Sequence, residues 1–480
     1  MQAKHQLFIN NRFVSSLADE PIPVVDPSTG QIISSLARGQ APDIDKAVAA
    51  ARMAFDTKWG KTNAVERSRL MMKWAQLVLQ HQEELAQIEC ADTGKPLKQG
   101  RADAVALARY FEFYAGASDK LHGQTIPYQN GYTVLTIREA HGVTGHIIPW
   151  NYPMQIFGRS VGASLAVGNA TVVKPAEDAC LSLLKVAQLA AEAGFPEGAL
   201  NIVTGLGSEA GQALTEHPGI DHISFTGSPG TGAKVAMAAA AHHCPVTLEL
   251  GGKSPQLVFA DSDIDAALPV LVNAIIQNAG QTCSAGSRVL IEEKIYDDLM
   301  NRLSAHFSNL VAAPSQQDKD LGPLISKRQQ QRVWDYLSDA HTAGLEFAAQ
   351  GTIADDAPES GFYQAPVLLS NVPSSSKLFQ EEIFGPVLVA TPFRDDAHAL
   401  ELANATQFGL VAGIWTRDGS RQMRMAKAVR SGQVFINNYG AGGGVELPFG
   451  GVGASGYGRE KGFEALYSFT ALKTIAIKHD

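Results

Sequence analysis

The sequence predicts an α/β protein with two doubly wound regions. Three observations carry that expectation. Short apolar runs alternate with helical stripes from residue 143 to about 435, glycine reaches 45 residues, and 480 residues are too many for one compact core. Alternation of strands that are apolar along their length is how a parallel sheet covered by helices on both faces reads. Abundant glycine suits a chain with many strand-to-helix turns.

In chain order, residues 7–40 read as short strands and turns, with Asn10-Asn11 and Pro27-Ser28-Thr29-Gly30 as turn signals. Two helices follow. Val48, Ala51 and Phe55 repeat at helical spacing after Pro42-Asp43, and Leu70, Trp74, Leu77 and Val78 form a second stripe. Between Gly123 and Glu139, two β-rich runs flank Asn130-Gly131, a pair suited to a type I′ hairpin turn. The alternating series then places strands over 143–148, 171–174, 200–204, 222–226 and 246–250, separated by helices over 154–167, 181–193, 208–216 and 231–242. A second series runs from Gly251 to about Phe435, with strands over 256–259 and 289–292. Residues 432–462 are glycine-rich and irregular. The final run, 470–478, is an apolar strand whose bare edge calls for cover, which hints at a partner subunit.

Composition narrows the function classes. Apolar residues make up 45% and charged residues 18%, as in an ordinary globular protein. The 39 basic and 48 acidic residues give a net charge of −9 with no basic stripe, which argues against a nucleic-acid partner. Cys90, Cys180, Cys244 and Cys283 include no CxxC pair, as expected of free thiols in a reducing compartment. The first residues lack an apolar signal core, and the run 264–279 is broken by Asp265, Pro269 and Asn273, so a soluble cytoplasmic protein without a membrane span is expected.

The chemistry centres on Cys283, a lone cysteine that follows a helical run and Gly280-Gln281-Thr282. A thiol becomes a nucleophile only with help in losing its proton. Glu249, between two leucines at a strand's end, is a candidate general base whose alternative is a satisfied structural acid. Asn151 stands at another strand end, where its amide would donate to an oxyanion; the bland alternative is a turn asparagine. Lys174 and Glu177 close a strand–helix–strand unit, where a carboxylate accepts from ribose hydroxyls of a dinucleotide. The first turn of that unit, Pro149-Trp150-Asn151-Tyr152-Pro153, has no glycine to cradle a pyrophosphate. A glycine-rich turn comes later, at Gly227-Ser228-Pro229-Gly230-Thr231-Gly232, and misses the P-loop pattern because Ala233 precedes Lys234. His242-His243-Cys244 lacks further ligands at metal-site spacing and reads as structural, so no metal is expected.

Together these segments resemble the aldehyde dehydrogenase superfamily, of the hydrolytic, NAD(P)-dependent type, along nearly the whole chain. The resemblance is carried by Ile148-Pro149-Trp150-Asn151-Tyr152-Pro153, Val173-Lys174-Pro175-Ala176-Glu177, Phe225-Thr226-Gly227-Ser228 and Leu248-Glu249-Leu250-Gly251-Gly252-Lys253-Ser254-Pro255. Gly280-Gln281-Thr282-Cys283, Glu381-Glu382-Ile383-Phe384-Gly385-Pro386 and Pro448-Phe449-Gly450-Gly451 complete it. It implies a Rossmann-like NAD-binding domain over 1–122 and 140–250, a catalytic domain over 251–435, an oligomerisation element over 123–139 and 466–480, and an irregular return over 436–465. It also implies that Cys283 attacks an aldehyde, Asn151 holds the oxyanion and Glu249 activates water to hydrolyse a thioester, with Lys174 counted among the catalytic residues. The implied cofactor residues are Pro149, Trp150, Lys174, Glu177, Gly207, Gly211, Phe225, Thr226, Gly227, Ser228, Leu250, Glu382 and Phe384.

Glu177 favours NAD over NADP, since a carboxylate repels a 2′-phosphate. Substrate-lining candidates are Tyr152, Gln155, Arg159, Gln277, Thr282, Ser284 and Tyr439 of the 439–445 loop. Arg159 stands where succinic semialdehyde dehydrogenases bind a substrate carboxylate, while Gln277 replaces their second arginine. Both a broad aldehyde range and a carboxylated semialdehyde follow, and Arg159 is alternatively an ion-pair partner. The implied assembly is a homodimer or homotetramer. The rival readings are a CoA-acylating relative, disfavoured by Glu249, and a cysteine-dependent hydrolase or acyltransferase, for which no histidine base is in evidence.

Overall fold

The computed structural model describes residues 6–18, 20–440 and 444–479. Two large sheets organise the chain. In the first, the order is Arg12–Ser15, Gln6–Ile9, Leu200–Ile202, Ala170–Pro175, Val143–Ile148, His222–Thr226, Val246–Glu249 and Gly456–Tyr457. The five strands from Leu200–Ile202 to Val246–Glu249 run parallel, and the flanking strands pair antiparallel. Ala170–Pro175 is buried along its whole length, as a strand with helices on both faces must be. Helix Pro153–Ala166 has only Gln155 outside the buried class, because Gly158 and Gly162 let it lie directly against the rings of Tyr110 and Tyr114.

The second sheet runs Glu346–Gln350, Val367–Ser370, Val387–Phe393, Arg288–Glu292, Pro255–Val258, Val411–Trp415 and Gln433–Ile436. All pair in parallel except the first. Its two faces feed separate apolar cores, one around Leu257 and Val389 and the other around Val258 and Val289, as alternating strand side chains require. Two doubly wound α/β units were expected and are found. No helix of the described residues is long and apolar enough to cross a membrane.

A small antiparallel sheet joins Gln124–Ile126, Tyr132–Ala140 and the C-terminal strand Thr470–Lys478, which lies at its edge. Leu472, Ile475 and Ile477 are 56%, 36% and 47% exposed there. The turn at Asn130-Gly131 corrects one expectation. Gly131 has φ +80°, but Asn130 is not among the positive-φ residues, so this is not type I′, which needs both.

Other differences have local causes. Helices Gln82–Thr93 and Leu97–Ala117 were not foreseen, because buried Glu89, Asp92 and Asp103 interrupt their apolar stripes. The helix expected over 208–216 opens as a π-helical turn, Gly207–Gly211, before Gln212–Glu216 becomes α-helical. The segment read as irregular contributes Gly456–Tyr457, which pairs with Leu248 and Glu249 and completes the first sheet.

Candidate active site

The site forms where the carboxyl ends of the first sheet's parallel strands meet the second unit, the usual position for ligands in doubly wound sheets. Asn151 follows strand Val143–Ile148, Ser228 follows His222–Thr226, and Glu249 ends Val246–Glu249. The chain then turns through Gly251 and Gly252. A Cβ on Gly252 would stand 2.4 Å from the Cys283 carbonyl oxygen, so bare backbone is what lets the cysteine's main chain come close.

Cys283 is carried by an unusual loop. Helix Ile264–Ile276 ends, and Asn278, Ala279 and Gly280 take φ values of +49°, +52° and +73° in succession. Side chains hold this left-handed run in place. Asn278 Nδ2 donates to the Asn151 carbonyl oxygen at 2.9 Å, and Gln281 Nε2 donates to the Asn278 carbonyl at 3.0 Å. Gln281 Oε1 accepts from the Ile325 N–H at 2.9 Å. Asn151 Nδ2 donates one hydrogen to the Gln281 carbonyl at 3.0 Å, which leaves its second hydrogen for another acceptor.

Pro149, Trp150, Asn151, Thr226, Gly227, Ser228, Glu249, Leu250, Cys283, Glu382 and Phe384 line one cleft of about 1250 Å³. All were expected at the site. The thiol of Cys283, half-buried against Leu410, Val411 and Phe449, has its pKa pushed up by burial to about 11 against the pull of the Arg159 guanidinium, so it rests protonated. Glu249 is 2% exposed, and neither of its carboxylate oxygens has a hydrogen-bond partner among the described residues. Burial, reinforced by the nearby charge of Glu460, holds its pKa well above the ordinary carboxylate range.

Lys174, expected among the catalytic residues, lies elsewhere. Its Nζ pairs with Glu177 at 2.8 Å, its stem packs against Gly211, and neither Lys174 nor Glu177 lines the cleft around Cys283. Burial pushes the Glu177 carboxyl up, but Lys174 and the Gly207 N–H more than offset this and keep it below its usual value. Lys174, Glu177, Gly207 and Gly211 are therefore gathered in one place. Phe225 is buried beneath Gly227, and Ser228 caps helix Pro229–Ala240 by accepting from the Thr231 N–H at 3.3 Å.

On the opposite wall, Glu382 Oε1 accepts from the Gly252 N–H at 2.9 Å, and burial raises its pKa to about 7. Phe384 has φ +64° and meets the Trp150 ring edge-on at 5.4 Å. Helix Lys327–Thr342, which the sequence did not single out, braces this wall. Arg332 Nη2 donates to the Glu382 carbonyl at 2.6 Å and Gln329 Nε2 to the Phe384 carbonyl at 2.8 Å. Its buried stripe of Gln330, Val333, Tyr336 and Ala340 was the available signal, with Gln330 hiding it.

The residues expected around the substrate lie off the main cleft. Tyr152 Oη bonds Thr282 Oγ1 at 2.9 Å, and Tyr439 Oη donates to the Ser284 carbonyl at 2.6 Å. The Gln277 carbonyl accepts from Thr282 Oγ1 at 3.4 Å; Gln155 Nε2 donates to Asp103 Oδ1 at 2.6 Å. Residues 441–443 of the 439–445 loop lie outside the described residues. Arg159 is 6% exposed, with Nε on Glu460 Oε2 at 2.5 Å and Nη2 on Thr226 Oγ1 at 3.2 Å. Of its two readings, carboxylate anchor or ion-pair partner, the geometry matches the second.

Fold and site define an α/β protein in which one cleft, at the carboxyl ends of a dinucleotide-type sheet, holds both the Cys283 thiol and the buried Glu249 carboxyl. Comparison with known proteins states its class directly. The model of the Aldehyde dehydrogenase family matches residues 13–475, and the chain belongs to that family as an oxidoreductase acting on the aldehyde group. It is 41% identical over 480 residues to aldehyde dehydrogenase family 2 member B4, mitochondrial, of Arabidopsis thaliana, covering 99% of this chain and 88% of the relative. It is 39% identical to human retinal dehydrogenase 2, covering 98% and 92%. Among solved structures, the NAD+ complex of aldehyde dehydrogenase from Bacillus cereus matches with TM-score 0.96 at 38% identity, over 99% of this chain and 97% of that one.

Proposed function

We propose that the protein oxidises aldehydes to carboxylic acids with NAD, through a thioester on Cys283, and that water activated by Glu249 releases the acid. The observation that carries this is the buried Glu249 carboxyl, with neither oxygen hydrogen-bonded among the described residues, in the same cleft as Cys283 and Asn151. Such a carboxyl has a raised pKa and the basicity that proton abstraction from thiol or water needs near neutral pH.

The residues fit a dinucleotide in three ways. The cleft is roomy, the amino end of the twelve-residue helix Pro229–Ala240 opens onto it, and Glu177 stands at the carboxyl end of a parallel strand. Ser228, Lys174 and Glu177 would hold the adenosine half, and Trp150, Glu382 and Phe384 the nicotinamide half. The first sheet is accordingly the cofactor-binding unit and the second carries the nucleophile. NAD, when bound, supplies the hydride acceptor. Glu177 favours NAD over NADP, a preference that equal catalytic efficiency with NADP would overturn.

The chain's own part runs as follows. Cys283 loses its proton towards Glu249 and its sulfur bonds the aldehyde carbon, while the carbonyl π pair moves to oxygen. That oxyanion accepts the second hydrogen of Asn151 Nδ2. After oxidation, and once Glu249 has passed the thiol's proton on to solvent, its carboxylate takes a proton from water as the water oxygen adds to the thioester carbon, and the C–S bond breaks to return the thiolate. Because Arg159 is committed to Glu460, the reading favours a range of aldehydes without a required carboxylate.

The buried or half-buried free thiols suit the reducing cytoplasm, and the exposed apolar edge of Thr470–Lys478 suits a homo-oligomer, which sedimentation at micromolar concentration checks. The central test is NADH formation with a panel of aldehydes, with and without coenzyme A. Cys283→Ala abolishes it. Glu249→Gln leaves a burst of one NADH per site followed by slow turnover. A Cys283→Ala protein that still oxidised aldehydes would end the proposal, and a steady state that required coenzyme A would replace hydrolysis with acyl transfer.

A further inference from the structure

A buried cluster of charge behind Asn151 plays no part in the chemistry above. Gly94-Lys95-Pro96 links helices Gln82–Thr93 and Leu97–Ala117. Lys95 is 1% exposed, and its Nζ donates to Glu89 Oε1 at 2.9 Å, to Asp103 Oδ2 at 2.6 Å and to the main-chain carbonyl oxygen of Asn151 at 3.2 Å. The two acids are saturated: Ser182 Oγ donates to Glu89 Oε2 at 2.9 Å and Gln155 Nε2 to Asp103 Oδ1 at 2.6 Å. The same ammonium sits 4.6 Å from the centre of the Tyr152 ring, whose hydroxyl bonds Thr282, the neighbour of Cys283.

Lys95 therefore touches both residues of the turn that presents the oxyanion donor. We propose that Lys95 is a positioning residue, which fixes the Asn151-Tyr152 turn from behind so that the Asn151 amide faces the reacting thiol. The Asn151 carbonyl receives two donors, Asn278 from the cysteine's loop and Lys95 from the helical layer, so its peptide plane is held between the two elements that must stay in register. The arrangement costs three buried ionisable groups, a cost that packing alone does not explain, since an apolar trio of similar volume is as stable or more so. What the ammonium adds is a fixed direction. A charged donor with its other two hydrogens on carboxylates keeps the third aimed at Asn151.

The inference rests on Asn151 as the oxyanion donor, and the test separates the two claims. Removing Lys95 alone would strand both acids in the interior, so Lys95→Met is combined with Glu89→Gln and Asp103→Asn, and Lys95→Gln with the same two changes is made in parallel. Each is measured in the native background and with Asn151→Ala, by single-turnover NADH formation and by NAD titration. The expected result is a ten- to a hundredfold drop in the single-turnover rate with NAD affinity unchanged, and less than a twofold further drop when Asn151 is already alanine, since a positioning residue has nothing left to position. A folded variant with the native rate overturns the proposal. So does an equal drop in the Asn151→Ala background, or the failure of both variants to fold, either of which assigns Lys95 to the fold alone. An Asn151→Ala enzyme with the native rate instead overturns the oxyanion reading beneath it.

Discussion

Gly280→Ala is the sharpest single test of how Cys283, the proposed nucleophile, is held. A Cβ at this position would lie 2.1 Å from the Gly385 carbonyl oxygen, 2.3 Å from the Gly385 carbonyl carbon and 2.7 Å from Pro386 nitrogen. All three are main-chain atoms, so no rotamer change relieves the contact. Ordinary contact begins at 3.4 Å, so the backbones must part by about 1 Å or more. Alanine at φ +73° adds about 1–2 kcal/mol of conformational cost. A displacement of about 1 Å at a reacting group costs on the order of a hundredfold in rate. The assay is single-turnover NADH formation beside NAD titration. If the cysteine's loop yields, the rate falls about a hundredfold with NAD affinity kept; if the Glu382–Phe384 wall yields, NAD affinity falls as well. A folded Gly280→Ala enzyme with native rate and native NAD affinity refutes the packing argument.

Arg159→Met leaves Glu460, fully buried and otherwise bonded to Ser224, with an uncompensated charge, and should destabilise the protein by about 3–5 kcal/mol in denaturant unfolding. Its KM values for carboxylated and neutral aldehydes should change equally; a selective loss for carboxylated substrates would restore Arg159 as an anchor. For pH, both the Cys283 thiol and the Glu249 carboxyl have pKa values raised by burial, so both are protonated and inactive at the low end. The kcat/KM of the free enzyme should therefore climb with pH from 6 to 9, and a fall over that range would contradict the assignment. Stability runs the other way. A raised folded-state pKa gives stability present at low pH and lost as pH rises through it, so Glu249→Gln should gain stability over the native enzyme towards alkaline pH, read as a higher unfolding midpoint.

Much of this was legible before any coordinates. The parallel strands stand out because burial on both faces makes them apolar throughout; Asn151 and Glu249 are polar residues at the ends of such runs, and Cys283 follows an apolar helix and a glycine. What stayed hidden depends on long-range packing. Helices Gln82–Thr93 and Leu97–Ala117 were missed because Glu89 and Asp103 occupy core positions, and those acids make sense only with Lys95 between them. The ion pair of Arg159 with Glu460, 301 residues further along, likewise has no local signal in the sequence. The type of turn at Asn130-Gly131 was set by how the strands pair, which the dipeptide alone does not fix.

The pairing of Leu248 and Glu249 with Tyr457 and Gly456 also has a consequence in time. The strand bearing Glu249 leaves the ribosome with one edge bare, and 207 positions separate it from the strand that covers that edge. At about 5–20 residues per second this interval lasts roughly ten to forty seconds. Glu460 and Phe449, which pack around Arg159, belong to the same late stretch. A nascent chain can thus complete most of both sheets while the cleft beside Glu249 is still open on one side.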